Sequence, residues 1–191
     1  MKTKIIMFLA LATLFTLLTS TTFAEEPTWL FTVPKAESLK QGHYNIGFVY
    51  LDFGVADNLE LGIHGIKYSF LSSNLAIGAS LFPFLSPYIV FSPDTGSTEF
   101  LIGAKATPYV LPYVFFAGLE APLSNSLKLI LELNNGFNAG VRILPTKNWT
   151  LDLFLMYGYF SVEVYKYKYT RVAFSDFRAV PAIQFAYSGR F

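Results

Sequence analysis

The chain has 191 residues, of which 53% are hydrophobic, 18% aromatic and 14% charged, and its formal net charge is +1. A soluble domain carries about 25% charged residues, so this chain has too few to cover an ordinary water-facing surface. It contains no cysteine, which excludes disulfides, thiolate metal sites and a lipid-anchored N-terminal cysteine. It has no block of basic residues, so nothing indicates binding to nucleic acid.

Residues 1–24 are predicted to be a cleaved signal peptide. Lys2 and Lys4 give the positive region, an apolar core follows, and Thr22-Phe23-Ala24 forms a small-x-small cleavage site. The alternative, an uncleaved anchor, is disfavoured because the apolar core is shorter than the roughly 20 residues of a spanning helix. The mature chain is therefore expected to start at about Glu25 and to leave the cytoplasm.

Residues 25–41 have no clear periodicity and are interpreted as a periplasmic lead-in. Residues 42–51 alternate in polarity and predict the first strand. Residues 59–70 predict the second strand, and residues 52–58 connect the two. The apolar positions change from odd to even at Gly65, which is interpreted as a β-bulge because an extra residue shifts the face of a strand.

Eight further strands are predicted in the same way, at residues 75–82, 86–92, 99–107, 109–120, 126–133, 137–144, 149–159 and 180–191, of which the strand at 86–92 is ambiguous in phase. Residues 161–176 are polar and aromatic and are interpreted as a long hairpin that extends beyond a bilayer. The total is about ten strands. An even number, with both termini on one side, is what bacterial outer-membrane barrels require.

Charged and large apolar side chains lie on opposite faces of these strands, most clearly in residues 126–159. Since successive strand side chains face opposite sides, one face suits lipid and the other a polar lumen. The predicted fold class is all-β: a transmembrane antiparallel up-and-down β-barrel formed by residues 42–191. The predicted lumen charge network comprises Glu60, Glu99, Lys105, Glu120, Lys128, Glu132, Arg142, Asp152 and Arg190.

The hairpin around residues 134–136 predicts a register in which Lys128 faces Arg142. Two opposed cations repel each other, and Glu120 and Asp152 on the flanking strands are expected to offset them.

Glycines on the inward face predict a narrow lumen. Glycine within a strand marks sharp bending or close approach, and the bore of a small barrel is filled by side chains. Chance placement of the glycines is the alternative. The glycines concerned are Gly47, Gly62, Gly78, Gly103, Gly118, Gly140 and Gly158.

The last strand has Phe185 and Tyr187 at alternate positions and ends on Phe191. It resembles the C-terminal strand of outer-membrane barrels, which implies recognition by the barrel-assembly machinery. Gly189 departs from that pattern, in which a bulkier residue is usual.

A wider resemblance covers most of the mature chain. It is carried by VPKAESLKQGHYNIG, LELGI, NLAIGAS, FFAGLEAPLSNSLKLILELNNGFNAGVRI and WTLDLFL. These segments are similar to a family of exported barrels that includes the YjbH type, which is linked to exopolysaccharide production. The resemblance implies a β-barrel in the outer membrane and carries over no catalytic residue.

No catalytic residue, cofactor or metal site is predicted. His43 and His64, the only histidines, fall on adjacent predicted strands without facing each other and are interpreted as lumen or rim residues. A lipid hydrolase or acyltransferase needs a nucleophile or base near the outer leaflet, and no recognisable triad is present. Acid pairs such as Glu120 and Glu132 are compatible with glycosidase chemistry, but a charge-balanced lumen explains them more simply.

An exposed segment of alternating aromatics and cations is a candidate contact for surface glycans, since such side chains stack on sugars and pair with anionic groups. The alternative is a hairpin that its lysines keep soluble. The segment contains Tyr165, Lys166, Tyr167, Lys168, Tyr169 and Arg171.

The sequence thus predicts a non-enzymatic barrel in the outer membrane of a diderm bacterium, with a structural role or one associated with the envelope and surface polysaccharide. Its expected partners are outer-membrane lipid, the barrel-assembly machinery and surface polysaccharide. A small channel for ions or small solutes is the first alternative. An inner-membrane helical protein is the second, because residues 75–91 and 100–119 are long and apolar, but their prolines disfavour it.

Overall fold

The computed structural model describes residues 26–48, 50–81, 85–93, 95–106, 113–134, 136–158 and 179–191. The predicted signal peptide and the predicted glycan-contact segment, from Tyr165 to Arg171, lie outside the described residues. Within the described ranges, no helix has the length and apolar character needed to cross a bilayer.

Twelve antiparallel strands form a closed barrel in which each strand pairs with its neighbours in sequence and the last pairs with the first. The predicted all-β, up-and-down antiparallel barrel is confirmed. The strands are β1 (His43–Gly47), β2 (Leu51–Ala56), β3 (Leu59–Gly62), β4 (Gly65–Phe70), β5 (Leu75–Ser80), β6 (Ser86–Phe91), β7 (Glu99–Lys105), β8 (Val114–Ser124), β9 (Leu127–Asn134), β10 (Gly136–Thr146), β11 (Trp149–Gly158) and β12 (Ala179–Arg190). A single 3-10 turn, Leu71–Ser73, follows β4.

The predicted count of about ten strands was wrong because the N-terminal part of the barrel folds into shorter strands. The predicted connection at residues 52–58 contains most of β2, and the predicted second strand is the hairpin of β3 and β4. Gly65 is not a bulge: it pairs with Gly62 across a two-residue turn and has φ +115°. Residues paired across such a turn have numbers of opposite parity, so the outward set passes from odd to even positions.

The outer face of the barrel is apolar around its whole circumference. Each of the twelve strands exposes at least one large apolar side chain, such as Ile77, Leu155 and Ile183. The charged side chains of the strands lie on the opposite face. A soluble monomer rarely exposes a contiguous apolar patch of more than a few hundred Å², and a band that runs over all twelve strands is unlike such a surface.

The two ends of the barrel differ. The end where both termini lie, here the proximal end, is marked by the hydrogen bond from Phe191 N to Gly42 O, 3.0 Å long. It carries turns such as residues 125–126 and 147–148. The distal end carries the β3–β4 turn, residues 63–64.

Residues 26–41, expected to lead into the barrel from one end, lie largely inside it, with Lys40 and Gln41 exposed at the rim; we call this segment the plug. Leu30, Val33 and Ala36 are 0% exposed and pack in one cluster with wall residues from both halves of the barrel. The plug is a hairpin, since the backbone of Lys35 donates to Thr28 O at 3.0 Å. It lacks alternation because most of its residues are buried whichever way they face, and only Glu37, Lys40 and Gln41 of this segment are exposed.

Candidate functional site: the charged interior around the plug

The inward strand positions bring most of the predicted charge network together inside the barrel. Arg142, Glu132, Glu120, Glu60 and Asp152 are buried, although each is a charged side chain. Buried charges are tolerated when they are paired and hydrogen-bonded. The geometry of these pairs therefore defines the site.

Arg142 is the centre of the network and is fully buried. Its Nε and Nη2 donate to the two carboxylate oxygens of Asp152 at 2.8 and 2.9 Å, and its Nη1 donates to Glu120 at 3.1 Å. Such a bidentate pair is among the stronger charge-assisted contacts. Nη2 also donates to the carbonyl oxygens of Trp29 and Leu30 in the plug, at 3.0 and 3.3 Å.

The predicted pairing of Lys128 with Arg142 across β9 and β10 is confirmed. Their repulsion is offset as expected on one side, because Glu120 accepts from Lys128 Nζ at 2.6 Å and from Arg142 at 3.1 Å. On the other side, Asp152 pairs directly with Arg142 across β10 and β11.

Lys35 joins the plug to this cluster. Its Nζ lies 3.0 Å from Glu99 and 3.1 Å from Glu120, and its side chain is 2% exposed. Burial acts to lower the pKa of Lys35, but the surrounding carboxylates, Glu120 first and Glu99 next, outweigh it and hold that pKa well above its ordinary value. Lys35 is therefore a cation at neutral pH.

Glu26 lies beside the same cluster, where it forms a salt bridge with Lys128. Burial raises the pKa of Glu26; Lys35 acts in the opposite direction and Glu120 adds to the rise. The plug thus adds Glu26 and Lys35 to the charge cluster at the proximal end of the barrel.

Glu132 holds the tip of the plug. One carboxylate oxygen accepts from the backbone N–H groups of Phe31, Thr32 and Val33 at 2.6, 2.9 and 3.3 Å. The other accepts from Thr32 Oγ1 at 2.9 Å and from Asn138 Nδ2 at 2.8 Å. Successive backbone N–H groups around one anion form a nest, so this turn of the plug is shaped around a wall carboxylate.

A second cluster joins the plug to the short strands. Lys67 Nζ lies 3.2 Å from Glu60 and donates to Thr28 O at 3.0 Å, while Thr28 Oγ1 donates to Glu60 at 2.7 Å. Lys67 Nζ also lies 5.9 Å from the ring of Trp29. Sequence reasoning omitted Lys67, although its flanking residues Ile66 and Tyr68 are apolar and mark it as inward-facing.

His64 pairs with a second residue missed by the sequence analysis. Its Nδ1 lies 2.9 Å from Asp52, and its ring stacks on Trp29 at a centroid distance of 4.5 Å. The prediction that the two histidines lie on adjacent strands was wrong: His43 begins β1, whereas His64 lies in the turn between β3 and β4. No group of three or more potential ligands suited to a metal ion is present among the described residues.

Two members of the predicted network lie away from it. Lys105 is half-buried at the distal end of β7, and Arg190 is exposed at the proximal end of β12, paired in register with His43. Neither forms an ion pair with another residue in the described ranges.

The residues predicted as an assembly signal, Phe185, Tyr187 and Phe191, face outward on or just after β12. Near the proximal end, Trp149 meets Tyr187 edge-on at 5.2 Å and Tyr44 stacks on Phe191 at 6.2 Å. A Cβ at Gly189 would lie 2.5 Å from the Tyr44 hydroxyl. The Tyr44 ring therefore occupies the space of the bulkier residue that the C-terminal pattern usually has there.

Comparison of the chain with known protein families, curated proteins and solved structures finds no match.

Proposed function

We propose that the protein is a non-enzymatic outer-membrane β-barrel whose bore is closed by its own N-terminal plug. The observation that carries this proposal is the separation of the two barrel faces: an uncharged apolar band outside and paired charges inside. A lysine or arginine facing lipid at the bilayer midplane costs roughly 2–4 kcal/mol. The even strand number and the shared end of both termini also agree with such barrels.

The closed bore favours a structural or envelope-associated role over free passage of solutes. Residues of the plug contact wall strands on both sides of the barrel, and its central apolar side chains are fully buried. The lumen is thus filled by a segment of backbone in addition to the side chains that the inward glycines predicted.

An association with surface polysaccharide is the finer part of the proposal. It is supported by the resemblance to the YjbH type and by the alternating aromatics and cations at residues 165–171. A triple variant with Lys166, Lys168 and Arg171 replaced by Ser should bind purified surface polysaccharide more weakly than the wild type. Equal binding by both proteins contradicts the glycan role.

A channel for ions or small solutes is the second candidate, and it requires the plug to leave the bore. One observation favours it: the plug enters and leaves at the proximal end, with Glu26 beside Lys128 and Gly42 beside Gly54, so it can be withdrawn without threading the barrel. Recording in planar bilayers separates the two functions, because the sealed barrel gives no steady conductance.

The membrane placement is tested separately. Fractionation of cells should recover the protein with outer membranes, and its migration on a gel should change on boiling, as expected for a closed barrel that resists detergent. Recovery in the soluble fraction contradicts the proposal.

A further inference from the structure

The contacts between the plug and the wall are made largely by the plug's backbone. Wall side chains donate to its carbonyl oxygens: Lys67 to Thr28, Arg142 to Trp29 and Leu30, Gln184 to Phe31, and Ser69 to Ala36. Wall carboxylates accept from its N–H groups, as Glu132 does at the tip and Glu60 does from Leu39 at 2.9 Å. Hydrogen bonds to main-chain groups are one source of affinity when proteins bind peptide ligands.

Side chains of the plug add specificity, since the hydroxyls of Thr28 and Thr32 donate to Glu60 and Glu132. Lys35 enters the carboxylate cluster of Glu99 and Glu120. Phe31 stacks on Phe154 at a centroid distance of 3.9 Å. Leu30 fills a space kept open by the wall, since a Cβ at Gly118 would lie 2.5 Å from its Cδ1.

The connection to β1 lies at the rim of the barrel, where Lys40 O accepts from His43 N at 3.0 Å and Gln41 N donates to Asp57 Oδ1 at 3.4 Å. Lys40 and Gln41 are exposed at the proximal end, beyond the buried Leu39. The hairpin between them and Glu26 forms its own cross-strand hydrogen bonds, including Leu30 N to Val33 O at 3.0 Å. The hairpin therefore resembles a bound peptide ligand that is covalently connected to the barrel.

We infer that the interior of the barrel is a peptide-binding site, occupied in this chain by its own residues 26–40. The ligand class that fits is a short hairpin peptide with an apolar turn and a cation two residues after it, as Lys35 follows the turn Leu30–Val33. The inference does not depend on membrane placement, because it concerns contacts within the barrel that persist in detergent.

The test separates the hairpin from β1, so that the hairpin can be added back as a free peptide. A recognition sequence for a site-specific protease is inserted after Lys40 in the full-length chain, and the folded protein is cleaved in detergent and freed of released peptide. A fluorescein-labelled synthetic peptide of residues 25–40 should then bind one per barrel, as measured by anisotropy. Unlabelled peptide should compete, and a peptide of shuffled sequence should not.

Matched variants locate the site. Glu132→Gln should weaken binding of the labelled peptide about tenfold or more, since a charged acceptor of several hydrogen bonds is lost. Lys147→Gln, in the exposed proximal turn, should leave the affinity unchanged. The inference is overturned if the cleaved barrel takes up no labelled peptide, takes up the shuffled peptide equally well, or unfolds on cleavage and so shows that the hairpin is an integral part of the wall.

Discussion

The two halves of the barrel wall differ in strand length and in charge. The short wall, β1 to β7, has strands of four to seven residues, and the long wall, β8 to β12, has strands of eight to twelve. The long wall supplies Arg142, Asp152, Glu120, Lys128 and Glu132, whereas the short wall supplies Lys67, Glu60, Asp52 and Glu99. Both walls therefore bind the plug, but the carboxylate that holds its tip, Glu132, belongs to the long wall.

The lengths also bear on the proposed membrane. A tilted spanning strand needs about 9–11 residues, a length that most of the long wall has and the short wall lacks. A bilayer adapts to a short hydrophobic span by thinning locally. We therefore expect the proposed barrel to thin the bilayer on the side of the short wall.

The largest effect is expected from Arg142→Met in the long wall. This change leaves Asp152 and Glu120 buried beside one cation fewer, and breaking a buried pair on one side typically costs about 3–5 kcal/mol. Urea unfolding of the protein refolded in lipid vesicles measures it. The double variant Arg142→Met, Asp152→Leu should recover part of the loss, and no recovery contradicts the assigned pairing.

Glu132→Gln tests how much the charge of Glu132 stabilises the bound tip of the plug. The neutral amide keeps the shape but loses the charge that faces three backbone N–H groups, so the expected loss is about 1.5–3 kcal/mol. Glu99→Gln is the control: this carboxylate is 28% exposed, and its loss should cost less in the same unfolding assay. An equal cost for both variants argues against a special role of the tip.

Glycine replacements compare the two walls directly. At Gly62, in the short wall, a Cβ would lie 2.3 Å from the backbone oxygen of Leu51, whereas at Gly118, in the long wall, it meets the flexible ends of Leu30 and Leu101. Gly62→Ala should therefore cost about 1–3 kcal/mol of unfolding free energy, and Gly118→Ala less. The reverse order contradicts the assigned packing of the plug.

The smallest expected effect is the pH dependence of the stability that Lys35 of the plug contributes. Because the pKa of Lys35 is higher in the folded protein, its contribution to stability is complete below the ordinary lysine value of about 10.4 and is lost only as pH rises through the higher folded value. The stability difference between wild type and Lys35→Met should thus stay constant from neutral pH to about pH 10. A difference that falls within this range contradicts the carboxylate environment of Lys35.

The sequence predicted the long wall better than the short wall for a physical reason. Long strands with one apolar face fix their register, because a one-residue slip moves a whole strand's charges outward. Lys128 and Arg142 were placed correctly on this basis. In the short wall, alternation over four to six residues does not distinguish a bulge from a two-residue turn, so Gly65 was misassigned.

The plug could not be predicted because no periodic signal marks a segment whose residues are mostly buried whichever way they face. Its polar partners are wall residues distant in sequence: Glu132, for example, accepts from Phe31 N across 101 residues. The wall carboxylates were found by their inward position, but their role in binding backbone groups appears only in three dimensions. Among the charges that sequence reasoning missed, Lys35 is the clearest signal in retrospect, since it follows the apolar residues Trp29 to Phe31 and Val33 of the hairpin.

The central claim is that the apolar face is covered by lipid while the charges surround a plug in a closed bore. Because the chain has no cysteine, single spin labels can be placed at Leu155 and Ile183 on the outer face and at Thr32 in the plug. In reconstituted bilayers, we predict that oxygen broadens the signals of the two outer labels, that a water-soluble nickel complex does not, and that the label at Thr32 is shielded from both. Strong broadening of the outer labels by the nickel complex would contradict the account.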